Sequence, residues 1–345
     1  MAFLRQEARA VADRNGKGYT LDEIARELGY NKTTISRVIS GKGRISEKTR
    51  QRVQAFIQER GFRPNALARS LANSRTYNLG VVVPRDAGLI ESGFLTRCVT
   101  GICAAATERD FDVLMVADAE GELRRVLENG KVEGVIFVRS LEDCPARALL
   151  KQHGTPYAVI GPADPGELSV DNDNEAACRA LTAAVLGAGA SRPALLGGEA
   201  RHRVTHSRLK GFLDGCADRG VTPDPALIFT DLDAAGLDRA TDALTAAGAD
   251  AVFCMDEGLC ALMMMRLKDR GVGVPGDLKV ACFYDGGALE FMSPPVTAIR
   301  FDAAELGRRA CERLLLTIEG GDARSGVIGE YRIVWRQSTG DRPRP

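Results

Sequence analysis

The first pattern of apolar positions along the chain predicts a short helix. Its apolar residues recur three or four positions apart, at Leu21, Ile24, Ala25 and Leu28. Thr20 and Glu23 have the spacing of a capping box at the start of this helix. Gly29 can end it, because glycine takes the left-handed conformation without a steric penalty.

Two more helices are predicted directly afterwards. The second covers about 32–39 after Asn31, a good N-cap residue, and the third covers about 47–60 after Ser46. The apolar positions of these two helices are Ile35, Val38, Ile39, Val53, Phe56 and Ile57.

The spacing of Ala25, Gly29 and Ile35 predicts that the first two helices form a helix-turn-helix unit. A small residue lets two helices cross closely, a glycine permits the tight turn, and an apolar residue on the second helix fills the shared core. In such a unit the second helix enters the DNA major groove. Its outward face carries polar side chains that can reach bases and phosphates, namely Lys32, Thr33, Thr34, Ser36 and Arg37.

From Asn78 onward, short apolar runs alternate with helical stretches. Four runs precede the polar segment 171–174 and three follow it, which predicts two successive doubly wound α/β lobes with parallel sheets. The predicted strands are 79–84, 112–117, 134–138, 157–161, 193–197, 251–255 and 279–283. The cleft between two such lobes, at the carboxyl ends of the strands, is the expected ligand site.

Charge is divided unevenly along a chain that is neutral overall. Residues 1–75 hold sixteen Lys and Arg against seven Asp and Glu, an excess of nine positive charges that the rest of the chain balances. A basic head on an acidic body indicates that the head meets a polyanion such as double-stranded DNA. The length of 345 residues, with 45% hydrophobic and 27% charged residues, is typical of a globular protein of two or three domains.

Several features exclude other classes of protein. The nine scattered cysteines form no C-x-x-C pair, and neither an export signal nor an apolar segment long enough to cross a membrane is found, so we expect a cytoplasmic protein with reduced thiols. The three histidines are irregularly spaced, and no P-loop or nucleophile elbow is found. We therefore expect no metal, no cofactor, no membrane partner and no enzymatic activity.

The start of the chain resembles a known family. The run TLDEIARELGYNKTTISRVISGKGRISEKTRQRVQAFIQERGFRPNALARSL is similar to the DNA-binding head and hinge of the LacI/GalR family of bacterial transcription regulators. The resemblance implies that Lys32, Thr33 and Arg37 read bases. The residues that it implies near the DNA backbone or the groove edge are Asn31, Thr34, Ser36 and Arg44.

The resemblance also implies a hinge helix. The segment RPNALARSL is mostly apolar but too short to be a stable helix by itself, so we expect it to form only with a partner chain and DNA. Its implied DNA contacts are Asn65, Ala68 and Leu71. Leu71 would be a wedge that enters the minor groove at the centre of a palindromic operator and bends the duplex. The alternative for Leu71 is an ordinary core leucine.

The rest of the chain resembles the sensor of the same family, which is similar to periplasmic sugar-binding proteins. The matching segments are VDNDNEAA, RLKGF, VACFYDGG and SPPVTAIRFDAAELGRRA. The resemblance implies chain crossovers between the lobes near Val170 and Arg300, and final strands over about 326–336. The chain ends STGDRPRP, without the heptads of the family's tetramerising zipper, so we expect a homodimer on a pseudo-palindromic operator.

The resemblance further implies that Arg208 and Asp285 contact the effector. The expected effector site also includes Met255, Asp256 and Phe301, together with Arg85 and Arg139, which follow the first and third predicted strands. Gly161 stands where many relatives have Asp, Met255 stands where many have Asn, and Phe301, which could stack on a ligand ring, takes a usually polar position. Basic residues gather instead at strand ends and on a stretch expected to be one loop, with Arg201, His202, Arg203, His206 and Arg208. We therefore raise the hypothesis of an anionic effector, a sugar acid or a sugar phosphate. The alternative is that these basic side chains face solvent.

The fold class expected from these patterns is an all-α helix-turn-helix head plus an α/β two-lobed, periplasmic-binding-protein-like sensor with two doubly wound parallel sheets. The expected domains are an unassigned extension 1–18, the DNA-binding domain 19–63, a hinge helix and linker 64–77, and an effector-binding and dimerisation domain 78–345. The expected function is that of a repressor whose operator affinity depends on a small carbohydrate-type effector. The alternative is a solute-binding or enzymatic two-lobed protein without specific DNA binding.

Overall fold

The structure of the protein is a computed structural model that describes residues 19–40, 43–60, 70, 73, 75–83, 92–117 and 120–340. The chain divides between Arg75 and Thr76 into two compact units, here called the head and the sensor. Within the described residues, no helix is long and apolar enough to cross a membrane.

The described part of the head contains three helices. They are α1 (Leu21–Leu28), α2 (Lys32–Ser40) and α3 (Glu47–Arg60). The predicted capping box is present at the start of α1: Thr20 Oγ1 accepts a hydrogen bond from the Glu23 backbone N–H at 3.3 Å, and Glu23 Oε2 accepts one from the Thr20 backbone N–H at 2.8 Å. Gly29 ends α1 with φ of 71°, in the left-handed region.

The core of the head lies where the three helices meet. Ile24, Ile35 and Val53, one from each helix, have no exposed surface, and Ala25 and Val38 are nearly as buried. Burial of an Ile or Val side chain stabilises a fold by about 1.5–3 kcal/mol. The helix-turn-helix prediction is therefore confirmed, with Ala25, Gly29 and Ile35 in the predicted roles.

The sensor has two lobes, each built on a six-stranded sheet. The strands of the first lobe are β1 (Asn78–Val83), β2 (Asp112–Ala117), β3 (Gly134–Phe137), β4 (Tyr157–Ile160), β5 (Leu168–Asn172) and β11 (Gly326–Ile328). Those of the second are β6 (Pro193–Leu196), β7 (Ile228–Phe229), β8 (Ala251–Cys254), β9 (Lys279–Cys282), β10 (Thr297–Arg300) and β12 (Arg332–Val334).

The first sheet has the order β11-β5-β4-β3-β1-β2 and is parallel throughout. The second has the order β12-β10-β9-β8-β6-β7 and is parallel except for β12, which runs antiparallel to β10. The expected two doubly wound units are confirmed, and each of the seven predicted strands is found within one residue at either end. Strands β5, β7 and β10 were not predicted because they are short or partly polar.

Helices connect and cover the two sheets. They are α4 (Ser92–Glu108), α5 (Glu120–Glu128), α6 (Pro145–His153), α7 (Asn174–Gly187), α8 (Arg203–Ala217), α9 (Ala234–Ala246), α10 (Glu257–Asp269) and α11 (Ala303–Ile318). The expectation of one loop for residues 201–208 is wrong, because α8 begins at Arg203 and its turns are fixed by the buried Thr205, Gly211 and Phe212.

Within the described residues of the sensor, the chain passes between the lobes three times. It crosses before α7, whose buried face packs in the second lobe, and again after β10, since α11 packs in the first lobe. The third passage connects β11 to β12. Helices α4 and α11 cross very closely: a Cβ atom on Gly101 would lie 1.8 Å from the Ala304 carbonyl oxygen, and one on Gly307 would lie 2.1 Å from that of Cys98. Glycine at both positions therefore sets the position of α4.

The nine cysteines are all free. Cys103 and Cys144 are half-buried, and the other seven are buried, as expected for reduced apolar side chains. In the described part of the chain, no three His, Cys, Asp or Glu side chains are grouped so that they could hold a metal ion.

Candidate functional site

Helix α2 presents the polar face that the sequence predicts. Lys32, Thr33, Ser36 and Arg37 are exposed, while Ile35 and Val38 of the same helix are buried. This division follows from the helical period, since the apolar positions three residues apart fix one side to the core.

Side-chain contacts stabilise the N-terminal end of α2. Asn31 Oδ1 accepts hydrogen bonds from the backbone N–H and the hydroxyl of Thr34, at 2.7 and 2.8 Å, and so caps the helix. Lys32 Nζ lies 2.8 Å from Asp22 Oδ2 of α1. Arg44 is exposed in the segment before α3. The hinge residues Asn65, Ala68 and Leu71 lie outside the described residues.

A cavity of about 140 Å³ lies between the two lobes of the sensor. We call it the interlobe cavity. Its apolar wall is formed by Phe94, Leu95, Val138, Ile160, Val204 and Leu306. Its charged side chains are Arg139, Asp171, Arg208, Asp256 and Glu257. An apolar wall with a few converging polar groups is typical of a small-molecule site.

Arg208 is held in the cavity by two neighbouring segments. It comes from α8, and its Nε donates to Asn174 Oδ1 at 3.2 Å while its Nη1 donates to the Met255 carbonyl oxygen at 2.5 Å. The Met255 side chain itself is buried. Asp256 follows directly and caps α10, because its Oδ1 accepts a hydrogen bond from the Leu259 N–H at 2.7 Å. One oxygen of this carboxylate is thus engaged in helix capping.

The crossing segment before α7 contributes two further polar groups. Asn172 is only 7% exposed, and its Oδ1 is buried without a hydrogen-bond partner among the described residues. A buried acceptor in this state costs about 1–3 kcal/mol, so its position on the cavity wall suits a ligand that donates a hydrogen bond. Burial raises the pKa of the neighbouring Asp171 to about 6, although the Asn172 backbone N–H and the charge of Arg208 act in the opposite direction.

Three expected effector contacts do not line the cavity, and the buried Met255 is one of them. Asp285 is buried, and its Oδ2 accepts hydrogen bonds from Arg300 Nη2 at 2.6 Å and Arg336 Nη2 at 2.8 Å. Phe301 is packed in the core of the second lobe, with its ring centre 6.3 Å from that of Tyr331. Arg85 lies outside the described residues. Of the expected contacts, the structure brings Arg139, Arg208 and Asp256 to the cavity, while the Met255 carbonyl oxygen accepts the hydrogen bond from Arg208.

The other basic residues of the 201–208 stretch mostly face carboxylates instead of the cavity. Arg201 pairs with Glu199 at 2.5 Å, and Arg203 pairs with Asp164 of the first lobe at 2.5 Å. His206 Nε2 lies 3.5 Å from Glu142 Oε1, also of the first lobe. His202 does line the cavity. The excess of basic residues predicted for the ligand site is therefore much reduced.

Contacts between the lobes enclose the cavity on two sides. On one side the Arg203 backbone N–H donates to the Ser140 carbonyl oxygen at 3.1 Å, and the Glu142 backbone N–H donates to the Arg201 carbonyl oxygen at 3.0 Å. On the other side, Arg97 Nη2 of α4 donates to the Gly286 carbonyl oxygen at 3.0 Å. A ligand in this cavity touches both lobes, so it can affect how they close.

Sequence reasoning missed Asp171, Asn172, Glu257 and Tyr284 as wall residues of the cavity. A signal for them exists, since Asp171 and Asn172 end β5, and Glu257 and Tyr284 follow the carboxyl ends of β8 and β9 by two or three residues. This is the edge of a parallel sheet at which ligands bind.

Known proteins contain both units of this chain. Residues 20–65 match the bacterial regulatory proteins of the lacI family, and residues 182–339 match the periplasmic binding protein-like domain. Over 321 residues the chain is 30% identical to the HTH-type transcriptional regulator CelR of Thermobifida fusca, across 87% of this chain and 92% of that one. Over 332 residues it is 27% identical to catabolite control protein A of Staphylococcus xylosus, across 93% and 99% of the two chains.

Solved structures agree with these matches. A transcriptional regulator CelR–cellobiose complex superposes with a TM-score of 0.70 and 26% identity, covering 93% of this chain and 99% of that chain. The fold also matches a lac repressor dimer bound to operator and the anti-inducer ONPF, with a TM-score of 0.75 and 23% identity over 94% of this chain. A helix-turn-helix head followed by a two-lobed sensor defines a DNA-binding transcription regulator, not an enzyme. The chain belongs to the lacI family of bacterial regulatory proteins.

Proposed function

We propose that this regulator is a repressor that binds a pseudo-palindromic operator as a homodimer and responds to a small carbohydrate-type effector in the interlobe cavity. The main support is the convergence of polar groups from both lobes and from a crossing segment on one enclosed cavity. The effector would therefore bind where it can change the relation between the lobes.

On the DNA side, Lys32, Thr33 and Arg37 would read base edges from the exposed face of α2. Backbone or groove-edge contacts would come from Asn31, Thr34, Ser36 and Arg44. The proposal includes the hinge contacts Asn65, Ala68 and Leu71, which lie outside the described residues. An Arg37→Ala variant is expected to lose base preference at one operator position.

Exposed apolar side chains support a homodimer. Phe291 is 83% exposed, and Met265 of α10 and Met115 of the edge strand β2 are each 54% exposed. Of the three, Met115 gives the more specific support, because β2 ends its sheet and its unpaired edge favours coverage by another chain. Two copies of the head would then meet two half-sites of an operator.

The effector would be bound mainly by Arg208, Asn172 and Asp256, with Arg139 at the end of β3. Asn172 Oδ1 and the carboxylates accept hydrogen bonds, and the guanidinium groups donate them, which suits a ligand rich in hydroxyl groups. The related CelR structure is a complex with cellobiose. An anionic form, such as a sugar acid or sugar phosphate, is supported by Arg139 and Arg208, whereas three carboxylates in the same cavity oppose it.

The proposed mechanism is allosteric. An effector that contacts both lobes stabilises one arrangement of them and lowers the population that is competent to bind the operator. Because such coupling is reciprocal, the operator would weaken effector binding by the same factor.

The test uses the full chain and a duplex recovered by in vitro selection from random DNA. Gel-shift titrations with neutral sugars, sugar acids and sugar phosphates are expected to identify a class that weakens operator binding. Arg208→Lys, which keeps the charge but loses the planar fork, is expected to need at least about tenfold more effector for the same response. Failure of the selection to yield any preferred duplex would contradict the proposed function. A preference for a neutral sugar would exclude the anionic form.

A further inference from the structure

An acidic side chain lies beside the exposed polar face of α2, which carries the proposed base contacts Lys32, Thr33 and Arg37. Asp22, in the first turn of α1, lies 2.8 Å from the ammonium group of Lys32, the first residue of α2, and the two side chains are 60% and 59% exposed. A helix N-terminus carries a partial positive charge, which favours Asp22 and disfavours Lys32 where each stands. The pair therefore compensates an unfavourable position of the lysine.

We propose that Asp22 is a specificity-determining residue, which prevents Lys32 from binding DNA phosphates at non-specific sites. The inference rests on the proposed role of Lys32 in reading bases. Asp22 acts through Lys32, so it is a positioning residue and makes no contact with a base.

DNA offers the lysine two kinds of partner. A phosphate is an anionic partner like the Asp22 carboxylate, and the two anions repel each other, so a phosphate gains little by displacing Asp22. A guanine in the major groove instead offers two uncharged acceptors, O6 and N7, at a fixed position. The three N–H donors of the lysine ammonium let Lys32 bind such uncharged acceptors while it keeps its contact with Asp22, whereas a phosphate at the same place is repelled by the carboxylate.

The geometry leaves the lysine accessible for such sharing. Both side chains are largely in solvent, so the side of the ammonium that faces away from Asp22 can be reached by a base. Two other ion pairs of the head, Arg50 with Glu47 at 3.8 Å and Arg60 with Glu27 at 3.9 Å, are longer and do not involve α2. The shortest of these three pairs is thus the one that involves α2.

The experiment compares Asp22→Asn with the wild type in the full chain. Dissociation constants for the selected duplex and for a scrambled duplex of the same length are measured over a series of KCl concentrations. We expect binding to scrambled DNA to become about 1.4- to fivefold tighter per head, the range of effects for exposed ion pairs. The slope of log K against log salt on scrambled DNA should steepen by about 0.9 per head, because one more phosphate is neutralised. The slope on the selected duplex should not change.

Three variants separate this inference from general charge effects. Glu59→Gln removes the same charge from an exposed position on α3, and it should leave the ratio of specific to non-specific affinity at the wild-type value. Asp22→Glu keeps the charge and should preserve the ratio. In a Lys32→Gln background, Asp22→Asn should no longer affect the salt slope.

Two results would overturn the inference. One is an equal gain of affinity on both duplexes in Asp22→Asn, and the other is an equal effect of Asp22→Asn and Glu59→Gln. Either result leaves the proposed function in place, since the wild type would still prefer its selected duplex. A wild type without any preferred duplex would instead contradict the proposed function itself.

Discussion

The head and the sensor place their polar functional groups in different ways. In the head, the candidate DNA contacts lie on the exposed side of a single helix, so their arrangement follows from local spacing. In the sensor, the walls of the cavity come from segments as distant as Phe94 and Leu306, and only the tertiary fold brings them together. A reading surface can therefore be inferred from periodicity, whereas a cavity depends on long-range packing.

The ion pairs of the two units differ in how far they are exposed to solvent. Asp22 and Lys32 of the head are both largely exposed, so their pair is weak and accessible to a ligand. Asp285 of the sensor has no exposed side-chain surface and accepts hydrogen bonds from Arg300 and Arg336. A buried carboxylate of this kind fixes the fold around it, because removal of one partner leaves the others without compensation.

The strongest effect is expected from a variant that tests whether the head has a core of its own. Ile35→Ala removes a side chain with no exposed surface and should lower the free energy of unfolding of the head by about 4 kcal/mol, which hydrogen exchange of the head amides measures. Operator binding should be lost. Trp335, the one tryptophan of the chain, lies in the sensor. The urea unfolding curve followed by its fluorescence should therefore be the same for the variant and the wild type.

The matched control is Ile39→Ala on the same helix. Ile39 is half-buried, so its truncation should have a clearly smaller effect on operator binding. If Ile35→Ala destabilised the head amides and the region around Trp335 by equal free energies, the two units would unfold together, and the head would not have an independent core.

The second effect concerns the buried carboxylate of the sensor. Asp285→Ala should lower the free energy of unfolding followed by Trp335 by about 3 kcal/mol, at the lower end for a broken buried pair because Arg300 is partly exposed. Glu290→Gln is the control, since Glu290 is 46% exposed and lies 3.8 Å from the same arginines, and its effect should stay under about 1 kcal/mol. Similar losses in the two variants would show that burial does not separate these carboxylates.

The described part of the head could be predicted from the sequence almost completely. The capping box of Thr20 and Glu23, the end of α1 at Gly29 and the bounds of α3 all depend on residues close to each other in the chain. Such local signals determine helix ends directly. The strands of the sensor were also largely predictable, because buried parallel strands are continuous apolar runs.

The cavity was predicted only in part, for a physical reason. Asp285 follows a strand end and was expected to face a ligand, but Arg336, 51 residues later in the chain, holds its carboxylate in the interior. Arg203 was expected to supply positive charge to the ligand, but Asp164 of the first lobe pairs with it. Pairing between distant charges leaves no trace in local spacing, so the final charge of a cavity is a tertiary property.

The weakest effect is expected from two carboxyl groups of the sensor whose pKa values move in opposite directions. Burial raises the pKa of Asp171 to about 6, so the folded state holds this proton more tightly than the unfolded state, and the resulting stability is lost as the pH rises from about 4 to about 6. Burial alone would also raise the pKa of Glu167, but hydrogen bonds from Lys151 and Tyr157 lower it to about 2, so its contribution is lost only as the pH falls below about 4.5.

Asp171→Asn keeps the shape of the side chain and an oxygen that can accept the Asn172 N–H, but it removes the titration. Relative to the wild type, the variant should gain stability between about pH 4 and pH 6 and keep a constant advantage above that range. Because Asp171 retains some contact with solvent, we expect an advantage of about 1 kcal/mol, less than the roughly 3 kcal/mol that a change of two pKa units corresponds to. Urea unfolding followed by Trp335 at several pH values measures it. A difference between variant and wild type that stays the same across this whole pH range would mean that burial does not raise the pKa of Asp171, and the contrast between the two units would then be confined to Asp285.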